Sequence, residues 1–165
     1  MLKKITKKIQ LYQTKFSFGM TSATVTDLAL IVGLNQTTNA KMSIVAAILI
    51  IALADNISDS LGIHIFQESE RIEQKEVWLS TSTNFITRIL VSLTFMLLVI
   101  FLPMNLAVIS SIVWGLLLLT FLSYTIAKEE GVNPSLEIIK HLGIAILVIL
   151  GSDLIRRFIL MKFSS

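Results

Sequence analysis

Five apolar segments, each about as long as a bilayer is thick, leave this chain few ways to fold. A hydrocarbon core of about 30 Å is crossed by roughly 20 residues of helix. The candidate spans are 16–34, 42–66, 85–102, 106–127 and 136–161. Between them lie turn-forming runs: Asn35-Gln36-Thr37-Thr38-Asn39, Pro103-Met104-Asn105 and Gly131-Val132-Asn133-Pro134. The third and fourth spans should therefore form a tight hairpin. The polar stretch 67–84 is too short for a domain and extends the second helix before the chain turns back. The expected fold is an all-α integral membrane bundle of five transmembrane helices. It comprises one membrane domain over residues 16–165 behind a basic cytoplasmic N-terminus, 1–15.

Composition agrees with this: 54% of residues are hydrophobic and 15% charged, against roughly 45–50% and about 25% in soluble domains. With no cysteine, disulfide frameworks and thiolate metal sites are excluded, so any bound metal needs oxygen, imidazole or thioether. Lys3, Lys4, Lys7, Lys8 and Lys15 all precede the first span. That clustering suits an anionic membrane surface and gives no nucleic-acid footprint. The first span is interrupted by Thr and Asp and lacks a clear cleavage site, so it reads as retained. With the N-terminus inside, the cytoplasmic segments hold ten Lys and Arg, counting Arg88 in the second loop, and the other side holds four. The positive-inside rule thus predicts a cytoplasmic N-terminus and a C-terminus on the opposite side. In a prokaryote the membrane is the cell membrane.

An Asp at the centre of a membrane helix costs about 2.5 to 3.5 kcal/mol, so intramembrane carboxylates face a cavity or a partner. The second span carries Asp55 and Asp59, four apart and on one face, with Asn56 beside them. The first carries Asp27, two turns from Met20 on the same face. If the two helices pack together, the seam offers carboxylate, amide and thioether groups, a donor set for divalent cations such as Mn²⁺ and Fe²⁺. Ala54, Ser58 and Gly62 form a ridge of small residues that lets a neighbouring helix or a second copy approach. Crowded carboxylates in a poorly solvated site hold protons when empty and release them to a cation. A simpler account is that the Asp side chains only hold helices together.

Two stretches, Gly19-Met20-Thr21-Ser22-Ala23 and Ile57-Ser58-Asp59-Ser60-Leu61-Gly62-Ile63-His64, resemble the first and second helices of the vacuolar iron transporter family. The run His141-Leu142-Gly143-Ile144-Ala145, after the Asn133-Pro134 turn, is similar to that family's fifth helix. The family's first-helix Asp falls on Ser22, its second-helix Met on Asp59 and its Glu on Ile63, and Asp27 and Asp55 have no counterpart. Its acidic cytoplasmic domain shrinks to Glu68, Glu70, Glu73 and Glu76. The resemblance implies a five-span homodimer that exports Fe²⁺ or Mn²⁺ from the cytosol in exchange for protons.

The expected metal ligands are Asp27, Asp55, Asp59, Asn56 and Met20, with Glu68, Glu70, Glu73 and Glu76 as a weak cytoplasmic entry site. Ion pairs with Arg71 and Lys75 are the plainer account of that acidic run. His64 and His141 read as interfacial, Asp153 as a local partner of Arg156 and Arg157, and Trp78 and Trp114 as anchors or packing groups. There is no catalytic triad, phosphate loop or zinc-protease spacing, so neither an enzyme nor a resident cofactor is expected. The partners expected are a divalent cation, protons, the bilayer and a second copy. The alternative is a non-transporting membrane protein whose polar seam serves assembly.

Overall fold

In the computed structural model the chain is all-helical. The structure describes residues 2–163, with side chains from Phe16 onward, so the lysine side chains of the basic segment lie outside the described residues. Five helices follow one another: α1 (Leu2–Leu34), α2 (Ala40–Ser69), α3 (Gln74–Phe101), α4 (Met104–Glu130) and α5 (Pro134–Phe163). All five are long and apolar enough to cross a membrane.

Local chemistry sets the ends. Asn35 Nδ2 donates to the Val32 carbonyl at 2.7 Å and the Thr37 hydroxyl to that of Leu34 at 2.9 Å, covering carbonyls that α1 leaves open. Asn39, at φ 59°, then turns the chain into α2. α2 closes through Arg71 at φ 55°, where the Ile72 amide reaches back to the Gln67 carbonyl at 3.1 Å. α4 closes the same way through Gly131 at φ 70°, with the Val132 amide on the Ala127 carbonyl at 3.0 Å. Both ends are left-handed caps, for which glycine is the usual residue. Asn133 Oδ1 accepts the Ser135 amide, and Pro134 occupies the first position of α5, where no amide hydrogen is needed. Only Leu102 and Pro103 separate α3 from α4, the tight hairpin that the sequence predicts.

α1 packs against all four other helices, and α2 to α5 follow around it. Its apolar span is 44% buried within the chain, against 6% for α5. The core joins Met20, Ala23, Leu28 and Ile31 of α1 to Ile44 and Ile48 of α2, Phe95 and Val99 of α3, and Leu122 of α4. Two glycines set the closest approaches. A Cβ on Gly19 would stand 2.8 Å from the Asn84 carbonyl oxygen, so α1 and α3 touch backbone to backbone there. A Cβ on Gly115 would meet Leu28 at 2.7 Å. Outward faces carry large apolar side chains such as Leu53, Leu93, Leu147 and Leu154, as a lipid-facing surface requires.

One boundary differs from the sequence reading. α3 starts at Gln74, eleven residues before Phe85. Residues 74–84 look like a polar loop, yet Ser80 and Asn84 are buried against the polar end of α2. The second connection is therefore only residues 70–73, and Arg88 lies well inside a helix.

Candidate functional site: a polar seam across three helices

α2 and α3 run antiparallel and meet along polar contacts. From the turn inward, Gln67 Nε2 donates to Ser80 Oγ at 2.8 Å, and His64 Nδ1 sits 3.2 Å from Thr81 Oγ1. Deeper, Asn84 Nδ2 donates to Ser60 Oγ at 3.2 Å, and Ser60 donates to Asn56 Oδ1. Asn56 is fully buried, and its amide donates to the Phe85 carbonyl at 2.9 Å. That carbonyl belongs to the helical ladder of α3, so Asn56 supplies it with a second donor and fixes the register of the pair.

The ladder ends in charge. The Arg88 guanidinium on α3 spans both α2 carboxylates, with Nη2 on Asp55 at 2.5 Å and Nη1 on Asp59. The Arg88 side chain is 4% exposed, whereas those of Asp55 and Asp59 are 45% and 33% exposed. The four-residue spacing that stacks two carboxylates on a helix face suits the planar fork of arginine. Asp27 lies across the seam on α1. It is 2% exposed, accepts a hydrogen bond from Ser92 of α3 and lies within electrostatic reach of Arg88. Its Oδ2 is buried without a hydrogen-bond partner among the described residues, as is the hydroxyl of Thr24 one turn earlier.

Three helices thus bring three carboxylates and one guanidinium to one seam. Asp55 and Asp59 meet on Arg88, and Asp27 joins them only through Arg88's field. Among the described residues no three acidic, histidine or cysteine side chains gather closely enough to hold a metal ion. Asn56 spends its amide on α3 and Ser60. Met20 is buried in the core and lines an apolar pocket with Leu90, Val91, Trp114 and Leu118 of α3 and α4.

The acidic run near the turn is dispersed. Glu70 caps α2, Glu73 precedes α3, and Glu68 accepts from Gln74 at 2.8 Å and lies 3.5 Å from His64. Glu76 stands in the first turn of α3. His64 turns onto α3, its ring edge against Trp78 with centroids 4.7 Å apart, and so packs between helices. His141 Nδ1 meets Ser123 Oγ at 2.8 Å beside a cavity of about 310 Å³ between α1, α4 and α5. Asp153 pairs with Arg156 and Arg157 on α5, as its spacing predicts.

Arg88 is the residue that sequence reasoning misplaces, because the loop tally counts it among cytoplasmic cations. A geometric signal was present. Asp55 lies fifteen residues before Glu70 and Arg88 fifteen after Glu73, mirror positions of an antiparallel hairpin closed at 70–73. Without Arg88 the tally is nine against four.

No family model, curated protein or solved structure matches the chain. The likeness to vacuolar iron transporters therefore rests on the motifs quoted above.

Proposed function

We propose that the chain is a transporter of a divalent transition-metal cation, Fe²⁺ or Mn²⁺, carried out of the cytosol in exchange for protons by a homodimer. The observation that supports it most is the charge imbalance of the seam: three carboxylates face one guanidinium. A pair serving helix packing alone needs one carboxylate per arginine, and each further one raises the cost of insertion. The excess leaves places for exchangeable cations, protons in one state and a metal ion in the other.

The half-exposed carboxylates lie on an outward face of α2 beside Ala54, Ser58 and Gly62, all exposed. Hydrocarbon cannot solvate them, so water or protein must cover that face. A second copy packed across the small residues would bring two Asp55–Asp59 pairs together and complete a ligand set that one chain lacks. The nine-to-four distribution of Lys and Arg favours a cytoplasmic N-terminus and C-terminus outside.

Uptake of Mn²⁺ and Fe²⁺ into proteoliposomes, followed with an internal quenched dye, tests this. Wild-type protein should carry Mn²⁺ and Asp59→Asn should be strongly impaired; equal flux removes Asp59 from the path. The exposed small-residue ridge also favours a second reading, a membrane assembly protein. In that case no cation flux occurs, and changes at Asp55 and Asp59 alter only the oligomeric state.

A further inference from the structure

The geometry points to Arg88 as a built-in competitor of the transported cation, one that holds Asp55 and Asp59 when the site is empty and turns to Asp27 when a cation takes them. This rests on the transport function proposed above and adds its mechanism.

Three observations carry it. First, the guanidinium occupies the place a metal ion would need, because both α2 carboxylates direct an oxygen at it. A cation that chelates the pair through these two oxygens must displace Arg88. Second, a destination exists. Asp27 Oδ2 and Thr24 Oγ1 are buried acceptors on one face of α1, three residues apart, and among the described residues neither has a hydrogen-bond partner. A buried oxygen left unpaired is costly, and a guanidinium has five N–H donors, of which the α2 carboxylates take two. Third, α1 makes room. Gly19 has no side chain where the Arg88 stem lies, and a Cβ there would come within 3.3 Å of Arg88 Cγ. The stem thus rests against α1 while the head group reaches α2, with Asp27 within its electrostatic reach.

The exchange keeps the seam's charge compensated at each stage. With no metal bound, Arg88 neutralises one of the three carboxylates and two protons neutralise the others; a divalent cation that enters displaces both protons. With a divalent cation on Asp55 and Asp59, the displaced guanidinium would be an uncompensated buried charge anywhere except beside Asp27. Asp27 is therefore a positioning residue that acts through Arg88, without touching the metal.

A double-mutant cycle on purified protein in nanodiscs tests this, with Mn²⁺ binding read by electron paramagnetic resonance and folding checked by circular dichroism. Asp27→Asn should weaken Mn²⁺ binding about tenfold, an ordinary coupling between two sites, because Arg88 loses its second acceptor. Arg88→Gln in the same background should restore it, since the competitor is gone. If the double variant binds as weakly as Asp27→Asn, Asp27 is itself a ligand and the proposal fails. Unaltered binding in Asp27→Asn overturns it equally. Because Arg88→Gln can misfold, the wild type gives an independent reading. With ¹⁵N-arginine and ¹³C-aspartate labels in solid-state NMR, Zn²⁺ should replace the Arg88 contacts to Asp55 and Asp59 with one to Asp27. Zn²⁺ binding with unchanged Arg88 contacts overturns this inference alone. Absence of Mn²⁺ and Zn²⁺ binding in folded wild-type protein overturns the transport function and this inference together.

Discussion

The α2–α3 and α4–α5 hairpins have the same plan, two long helices joined by a short turn behind a left-handed cap, yet they are held differently. α2 and α3 meet through side-chain hydrogen bonds and a buried arginine between two carboxylates. Between α4 and α5 the Ser123–His141 contact is the counterpart, and α5 is the least buried of the five spans. In lipid, apolar packing discriminates weakly between a neighbouring helix and an acyl chain, whereas a buried polar group is satisfied in few arrangements. The polar hairpin is thus the part whose register is specified.

The largest break in this contrast should come from charge. Arg88→Gln leaves two half-exposed carboxylates without their cation and should cost about 3 kcal/mol, the upper end for a charged hydrogen bond. It should appear as a large drop in thermal midpoint in detergent, while Arg157→Gln on exposed α5 leaves the midpoint unchanged. Next is the backbone approach. Gly19→Ala forces α1 from α3 and should cost about 1 to 3 kcal/mol. Gly143→Ala on α5, where no described atom lies within 4 Å of the added carbon, should be neutral or slightly stabilising in the same melt.

The two turns offer a smaller, opposed pair. Arg71→Gly removes a non-glycine residue from the left-handed region and should gain about 1 kcal/mol, and Gly131→Ala should lose about as much. Of similar size is the neutral hydrogen bond. Asn56→Ala should cost about 1 kcal/mol, with faster hydrogen exchange at amides of α2 and α3 and unchanged exchange in α4 and α5. If exchange rises equally in both hairpins, the seam does not set the register separately.

Much of the fold is legible in the sequence because length and apolarity alone define a span. The Pro103 turn and the Gly131-Val132-Asn133-Pro134 break fall where helices end. The start of α3 is not legible, since Ser80, Thr81 and Asn84 have loop-like composition and become helical by pairing with Ser60, His64 and Gln67. The site is half legible. The four-residue spacing places Asp55 and Asp59 together, but their partner is a cation on another helix, and counting loop charges hides it. Met20 and Asn56 share the region with the carboxylates, yet their burial against α3 and α4 depends on helix rotation, which no linear spacing reveals.

The close burial of Asp27 against Ser92 bears on the order of synthesis. α1 is the least apolar of the five spans and the first to leave the ribosome. Its carboxylate finds its hydrogen-bond donor on a helix that begins forty residues beyond the end of its own. In order of synthesis α1 precedes α3, so Asp27 acquires that donor only once residues 74–101 have been made.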